Sequence, residues 1–151
     1  MCRSIWPGVG IKNSKLHRIN VLHNNIVRLM ILSNMPGETR LSNDSIFKSL
    51  NLLKFKDIYR LELGKFMHKA YYNSLPECLN NMFNRISNIH RYPTSSSRSR
   101  VFYQEISITA THRNWISSAG ISLWETVPCS LRDQTYFTFS KAYRRFIIDN
   151  Y

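Results

Sequence analysis

At 151 residues the chain has room for one domain, and 43% apolar with 13% aromatic residues supports a small core and argues against disorder by composition. Lysine and arginine number 21 against 9 acidic residues, a net charge of +12, which favours polyanionic partners: nucleic acid or an acidic membrane surface. Cys2, Cys78 and Cys129 are odd in number and form no CxxC, which argues against a disulfide framework and a cysteine-paired zinc module, and no stretch approaches the roughly 20 apolar residues that cross a bilayer.

The charge is spread rather than gathered in a tail: residues 1–75 carry 12 basic and 4 acidic side chains, residues 76–151 carry 9 and 5. Met1 to Gly10 shows no apolar signal core, and the chain reads as cut from the middle of something longer. With no leader and no spanning segment, an intracellular location, nucleus or cytoplasm, is the expectation.

Residues 1–13, punctuated by Pro7, Gly8 and Gly10, read as an irregular N-terminal segment, and residues 14–87 as a helical region. Ser14 is a candidate N-cap for the first helix. Leu16, Ile19, Leu22, Ile26 and Leu29 recur at three- and four-residue spacing and share one face, with Arg18 and Arg28 away from its centre. Met35-Pro36-Gly37 marks a loop. Asn43 or Asp44 is a candidate cap for a short helix carrying Ile46, Phe47 and Leu50.

A longer helix is expected from about Phe55 to Asn73. Phe55, Tyr59, Leu63, Phe66 and Ala70 line one side, Ile58, Leu61 and Tyr72 widen it, and Lys56, Arg60 and Lys69 are left outside. Gly64 within it costs about 1 kcal/mol relative to alanine, which points to a neighbouring helix packed closely there. Pro76 opens another short helix with Leu79, Met82 and Phe83 facing inward.

Residues 88–100, ending Ser95-Ser96-Ser97-Arg98-Ser99-Arg100, read as a basic linker. Residues 101–151 form an aromatic-rich C-terminal segment. Val101 to Thr109 leans towards β, Ile116 to Leu123 is ambiguous between strand and helix, and Pro128 ends it. In the last helix Tyr136, Phe139, Tyr143, Phe146 and Ile147 make one face and Lys141, Arg144 and Arg145 the other, with Asp133 as candidate N-cap. The fold class expected is therefore mainly α, four to five helices with a short β-leaning segment near residues 100–118, the first and last helices flanking the long central one.

Chemistry-bearing patterns are few. His17, His23, His68, His90 and His112 do not pair with each other or with a cysteine at ligand spacing, so no metal site is expected. G-x-S-x-G, GxGxxG and GxxxxGK are absent, which removes a nucleophile elbow and a phosphate cradle, and no cofactor is expected. Phosphoryl transfer on metal ions needs clustered carboxylates, and no two acidic residues are adjacent in the sequence. What remains is nucleic-acid contact: Arg98, Arg100 and Arg113 surround Tyr103 near Trp115, and Lys141, Arg144 and Arg145 line the last helix. Arginines neutralise phosphates while aromatics stack on bases. The competing reading is a solvated linker and helix face, with the aromatics, Trp124 above all, in the core. An amphipathic basic last helix also suits a membrane surface, but docking of its aromatic face on the core is simpler, so no membrane partner is expected.

Four stretches, in order, resemble the tail that follows the reverse transcriptase in non-LTR retrotransposon polyproteins of the jockey-like kind. Leu16 to Arg28 resembles the tail's first helix, with Leu22-His23-Asn24 in place of Leu-Gln-Asn. Leu50-Asn51-Leu52-Leu53-Lys54-Phe55, continuing through Asp57-Ile58-Tyr59 to Lys65-Phe66-Met67, is the strongest match. His90-Arg91-Tyr92-Pro93-Thr94 resembles a third motif, with Ser95 where arginine is usual. Ile116 to Pro128, containing Gly120 and Leu123-Trp124-Glu125, resembles a fourth, with Glu125 for asparagine, and Phe137 to Lys141 matches the opening of the last helix. The resemblance covers residues 15–151. It implies a fragment without the polymerase or nuclease domains, and hence no enzymatic activity, retaining weak sequence-independent RNA or DNA binding. Alternatives are a module docking on the reverse transcriptase domain, or a translated relic. The apolar faces would lean on the rest of the polyprotein, which leaves open that the piece is incomplete as a free-standing domain.

Overall fold

The computed structural model describes residues 13–34, 42–89, 101–103 and 116–151. Residues 90–100 of the expected linker lie outside them, with Arg98 and Arg100, as do Arg113, Trp115 and the 104–115 part of the β-leaning segment.

Helix α1 (Asn13–Asn34) starts one residue before the candidate cap Ser14. It buries Leu16, Val27 and Ile31, with Asn20 and His23 half-buried between them. Of the face expected from the sequence only Leu16 is buried; Ile19, Leu22, Ile26 and Leu29 are exposed. At 100° per residue α1 carries two apolar stripes about 130° apart. The stripe that docks is the one facing helix α2 (Asn43–Ser49), where Val27, Ile31, Ile46 and Phe47 form a small core and the His23 ring lies 5.2 Å from Phe47.

The cap of α2 is Ser42 rather than Asn43 or Asp44: its Oγ accepts from the Ser45 N–H at 3.2 Å. Asp44 sits in the first turn, where a negative charge suits the helix dipole, and pairs with Lys54 at 2.8 Å. Asn43 instead accepts from Arg28 Nε at 2.9 Å, joining α2 to α1.

Helix α3 (Phe55–Tyr71) is the central element. Leu61, Leu63, Met67 and Ala70 are buried, whereas Ile58 and Tyr72 at the edges of the expected belt are exposed. Both α2 and α3 end in the same way. Asn51 and Asn73 take positive φ, 52° and 53°, a conformation asparagine tolerates better than most residues. The Leu52 N–H then reaches back to Phe47 O and the Ser74 N–H to Lys69 O, at 2.9 and 2.8 Å, which satisfies carbonyls left open at the helix ends. Arg85 adds a side-chain cap on Tyr71 O at 2.5 Å.

Two single-turn helices follow, α4 (Glu77–Asn80), with Pro76 as its N-cap residue, and α5 (Ile86–Ile89). Phe83 is buried, while Met82 faces solvent rather than the core. Residues 101–103 form one antiparallel bridge, Arg85 to Phe102, with the Tyr103 N–H on Asn84 O at 2.7 Å. The bridge presses Phe102 onto Phe83, ring centroids 5.8 Å apart.

From Ile116 onward three helices follow: α6 (Ile116–Thr126), α7 (Cys129–Arg132) and α8 (Tyr136–Asp149). Eight helices thus stand among the described residues instead of four to five, and no strand. Of the β-leaning segment, residues 116–118 are helical and 101–103 make only the bridge. The count differs because α5 and α7 are four residues long, too short for periodicity to register, and because Ser117, Ser118 and Gly120 give α6 weak intrinsic propensity that packing overrides. Asp133, expected to cap α8, is the C-terminal cap of α7; Thr135 precedes α8.

The main core lies where α6 and α8 pack on α3, with α1 touching α3 more lightly. It holds Met67, Trp124, Val127, Phe139 and Tyr143. Two close approaches set it: Gly64 of α3 lies against the Tyr143 ring, as its position in the helix led us to expect, and a Cβ on Gly120 of α6 would come within 2.6 Å of Met67 Sδ. Tyr151 packs against both clusters, and its hydroxyl accepts from the Lys54 N–H at 2.9 Å. Burial of the phenol raises its pKa to about 12.

Candidate nucleic-acid interface

Helix α8 has two faces. Phe139, Tyr143, Ile147 and Ile148 are buried, while Phe137, Lys141 and Arg145, spaced by four and so aligned along the helix, point away from the core and are exposed. Phe137 is 68% exposed, the largest value among the exposed hydrophobic side chains described. The Lys141 ammonium lies over its ring, 4.2 Å from the centroid, which pre-sets the cation beside the aromatic face.

These three residues line an open groove of about 600 Å³ between α7 and α8. Pro128, Ser130 and Leu131 line it from the α7 side, and Thr138, Ala142 and Phe146 complete the α8 side. Asp149 is the one acidic side chain along it, so the groove is cationic at the Lys141 end and mixed near Arg145.

The α7 side is pinned from α3. His68, buried, sits 4.4 Å from Phe139 in a stacked pair, and its Nε2 lies 2.8 Å from Gln134 O, in the α7–α8 turn. Burial lowers its pKa below the usual 6.5, with the Gln134 contact opposing. The neutral tautomer with the proton on Nε2 therefore donates to that carbonyl. Tyr72 donates to Arg132 O at 3.1 Å. Arg132 donates to Val127 O at 2.9 Å and Glu125 O at 3.1 Å, with its guanidinium 5.6 Å from the Trp124 ring. Trp124 is almost fully buried, as the sequence led us to expect.

The sequence-derived candidates divide. Lys141 and Arg145 come together in the groove. Arg144 does not line it: half-buried, it donates to Asn51 O at 2.6 Å, a strap from α8 to the turn after α2. Tyr103 is exposed beside Asn84 and is likewise not part of the groove lining. Arg98, Arg100, Arg113 and Trp115 lie outside the described residues. Phe137 was missed as a contact residue because it stands between Tyr136 and the core residue Phe139. The usable signal was its register, four and eight residues before Lys141 and Arg145.

Net charge overstates the available cation surface, because many cations are committed locally. Lys65 pairs with Glu62 at 2.7 Å and Arg60 with Asp57 at 3.3 Å, and Lys48 donates to Asp149 O at 3.1 Å. Among the described residues no three His, Cys, Asp or Glu side chains gather as a metal site requires, and no helix is long and apolar enough to cross a membrane. The groove offers an aromatic face, two cations and hydroxyls, an arrangement suited to stacking one base and neutralising its neighbouring phosphates. Comparison with protein-family models, with curated proteins and with solved structures finds no match.

Proposed function

We propose that the chain is a non-catalytic, retrotransposon-tail-like protein that grips single-stranded RNA or DNA without sequence preference through the α7–α8 groove. The observation that carries this reading is Phe137, 68% exposed and flanked by Lys141 at 4.2 Å, with Arg145 one further turn along. The ancestry rests on the order of the four motifs between residues 16 and 141, and the strand preference on the exposed ring, since a base must be unstacked to lie on it.

The binding is weak. Stacking contributes about 1–3 kcal/mol per base, and two phosphate contacts give a log–log salt slope of about −1.4 on single strands, a loss of roughly sevenfold between 50 and 200 mM salt. Fluorescence anisotropy with a labelled oligouridylate measures both. Binding at low salt that is abolished by Lys141→Glu with Arg145→Glu supports the reading; no binding at low salt, or equal binding by that variant, overturns it.

A further inference from the structure

The stripe of α1 left outside the core has its own pattern. Ile19, Leu22, Ile26 and Leu29 follow at intervals of three, four and three residues, the a and d positions of two consecutive heptads. Both a positions are isoleucine and both d positions leucine. That distribution favours a two-stranded parallel pairing, because β-branched residues pack well at a and leucine at d in that geometry. From these observations we infer that α1 is a self-association surface, pairing in parallel with α1 of a second copy of this chain.

Exposure and position agree. Leu22, Ile26 and Leu29 are 60%, 56% and 65% exposed, and Ile19 and Met30 each 45%. Taking roughly 180 Å² for a fully exposed large aliphatic residue, these five present at most about 500 Å² per copy, about 1,000 Å² for the pair, the size of a weak, reversible interface. Val27 and Ile31 hold a different side of α1 on the core shared with α2, so a second helix approaches from solvent without displacing α2 or α3. Two heptads are too few for an isolated peptide, but α1 is already folded onto the body, and association need not bear the cost of helix formation.

In the parallel register the flanking pairs are Arg18 with the partner copy's His23 and Asn25 with Met30, none of them acidic, so the orientation is set by the isoleucine and leucine distribution at a and d. With +12 on each chain, the long-range field opposes association, so added salt strengthens it. Binding to nucleic acid responds in the opposite sense, and the two surfaces share no residue.

Sedimentation velocity of the full chain under reducing conditions, from about 5 to 200 μM, tests the inference. The expected result is a concentration-dependent dimer that tightens from low to high salt, and at least about tenfold weaker association for Leu22→Glu with Leu29→Glu at unchanged helical circular dichroism. A monomer throughout at high salt, or a dimer indifferent to that variant, overturns it. Leu22→Cys, with Cys2, Cys78 and Cys129 changed to serine, tests orientation independently: a parallel pair places the two d positions side by side and gives a disulfide-linked dimer on mild oxidation. Failure of that cross-link overturns the parallel form. Wild-type monomer that instead binds anionic phosphatidylglycerol vesicles through Leu22 and Leu29 overturns the inference in favour of a lipid surface.

Discussion

Gly64→Ala is expected to destabilise the protein, against the sign that helix propensity alone gives. In an open helix the change stabilises by about 1 kcal/mol. Here the new methyl would overlap the Tyr143 ring, with Cδ1 at 3.0 Å and Cζ at 3.2 Å behind the first contact. The ring has little freedom to yield, because Tyr143 is almost fully buried and stacked at near-parallel angles of 13° and 16° on Phe139 and Phe146. Overpacking of this kind costs about 1–3 kcal/mol, and a rigid ring in a stack belongs at the upper end. Subtracting the propensity gain leaves a net loss of about 2 kcal/mol, or about 6 °C in Tm for a chain of this size. Urea denaturation followed by helical ellipticity reads it. Pairing Gly64→Ala with Tyr143→Leu should recover at least about 1 kcal/mol of the summed single losses, since the two positions are in direct contact. An alanine variant more stable than wild type by about 1 kcal/mol would refute the packing of α3 on α8.

Three further outcomes follow from the groove and its supports. Phe137→Ala should weaken oligouridylate binding by about 1–3 kcal/mol with an unchanged salt slope, whereas Lys141→Ala should reduce the slope by about 0.7; both side chains are exposed, so the melting temperature should hold. Because burial depresses the His68 pKa, its contribution to stability is fully present above pH 6.5 and is lost as pH falls below it, where the unfolded chain takes up a proton that the native chain resists. Urea midpoints between pH 7.5 and 5.5 should fall less in His68→Gln than in wild type, and superimposable pH profiles would exclude the buried neutral imidazole. Arg144→Ala should cost about 1 kcal/mol through the lost contact to Asn51 O and leave the salt slope unchanged; a slope reduced as in Lys141→Ala would return Arg144 to the phosphate-contacting set.

What the sequence reveals depends on how many solutions a pattern admits. Helix α8 has one aromatic stripe, so Phe139, Tyr143 and Ile147 could be assigned to the core directly, although Tyr136 at its start is exposed and Phe146 only half-buried, and Gly64 inside a long periodic segment signalled close packing. Helix α1 has two stripes, and periodicity cannot say whether Ile19, Leu22, Ile26 and Leu29 or Leu16, Val27 and Ile31 will dock; that choice is made by Ile46 and Phe47 on another helix. Helix α6 hid behind Ser117, Ser118 and Gly120, whose local preference is overridden by burial of Ile121 and Trp124. Arg144 resembled Lys141 and Arg145 in sequence because its partner, Asn51, is 93 residues away. The groove was concealed for a related reason: its wall is held by His68 and Tyr72 reaching across to Gln134 O and Arg132 O, and neither lines the groove.

Buried and exposed faces of α8 are divided by register, and in the proposed reading this separates charge from affinity. If the net +12 acted as a diffuse field, binding would involve many phosphates and fall steeply with salt. Many of the described cations are engaged locally rather than free to contact a phosphate: Lys54, Arg60, Lys65, Arg85, Arg132 and Arg144 each satisfy a carboxylate or a backbone carbonyl. On the proposed reading, affinity through the groove would be governed by two cations and one ring, and the salt slope on single strands should sit near −1.4. A slope twice as steep would mean that two or more further contacts come from outside the groove, with Arg98, Arg100 and Arg113 first in line; their alanine variants would then bring it back to the value set by Lys141 and Arg145.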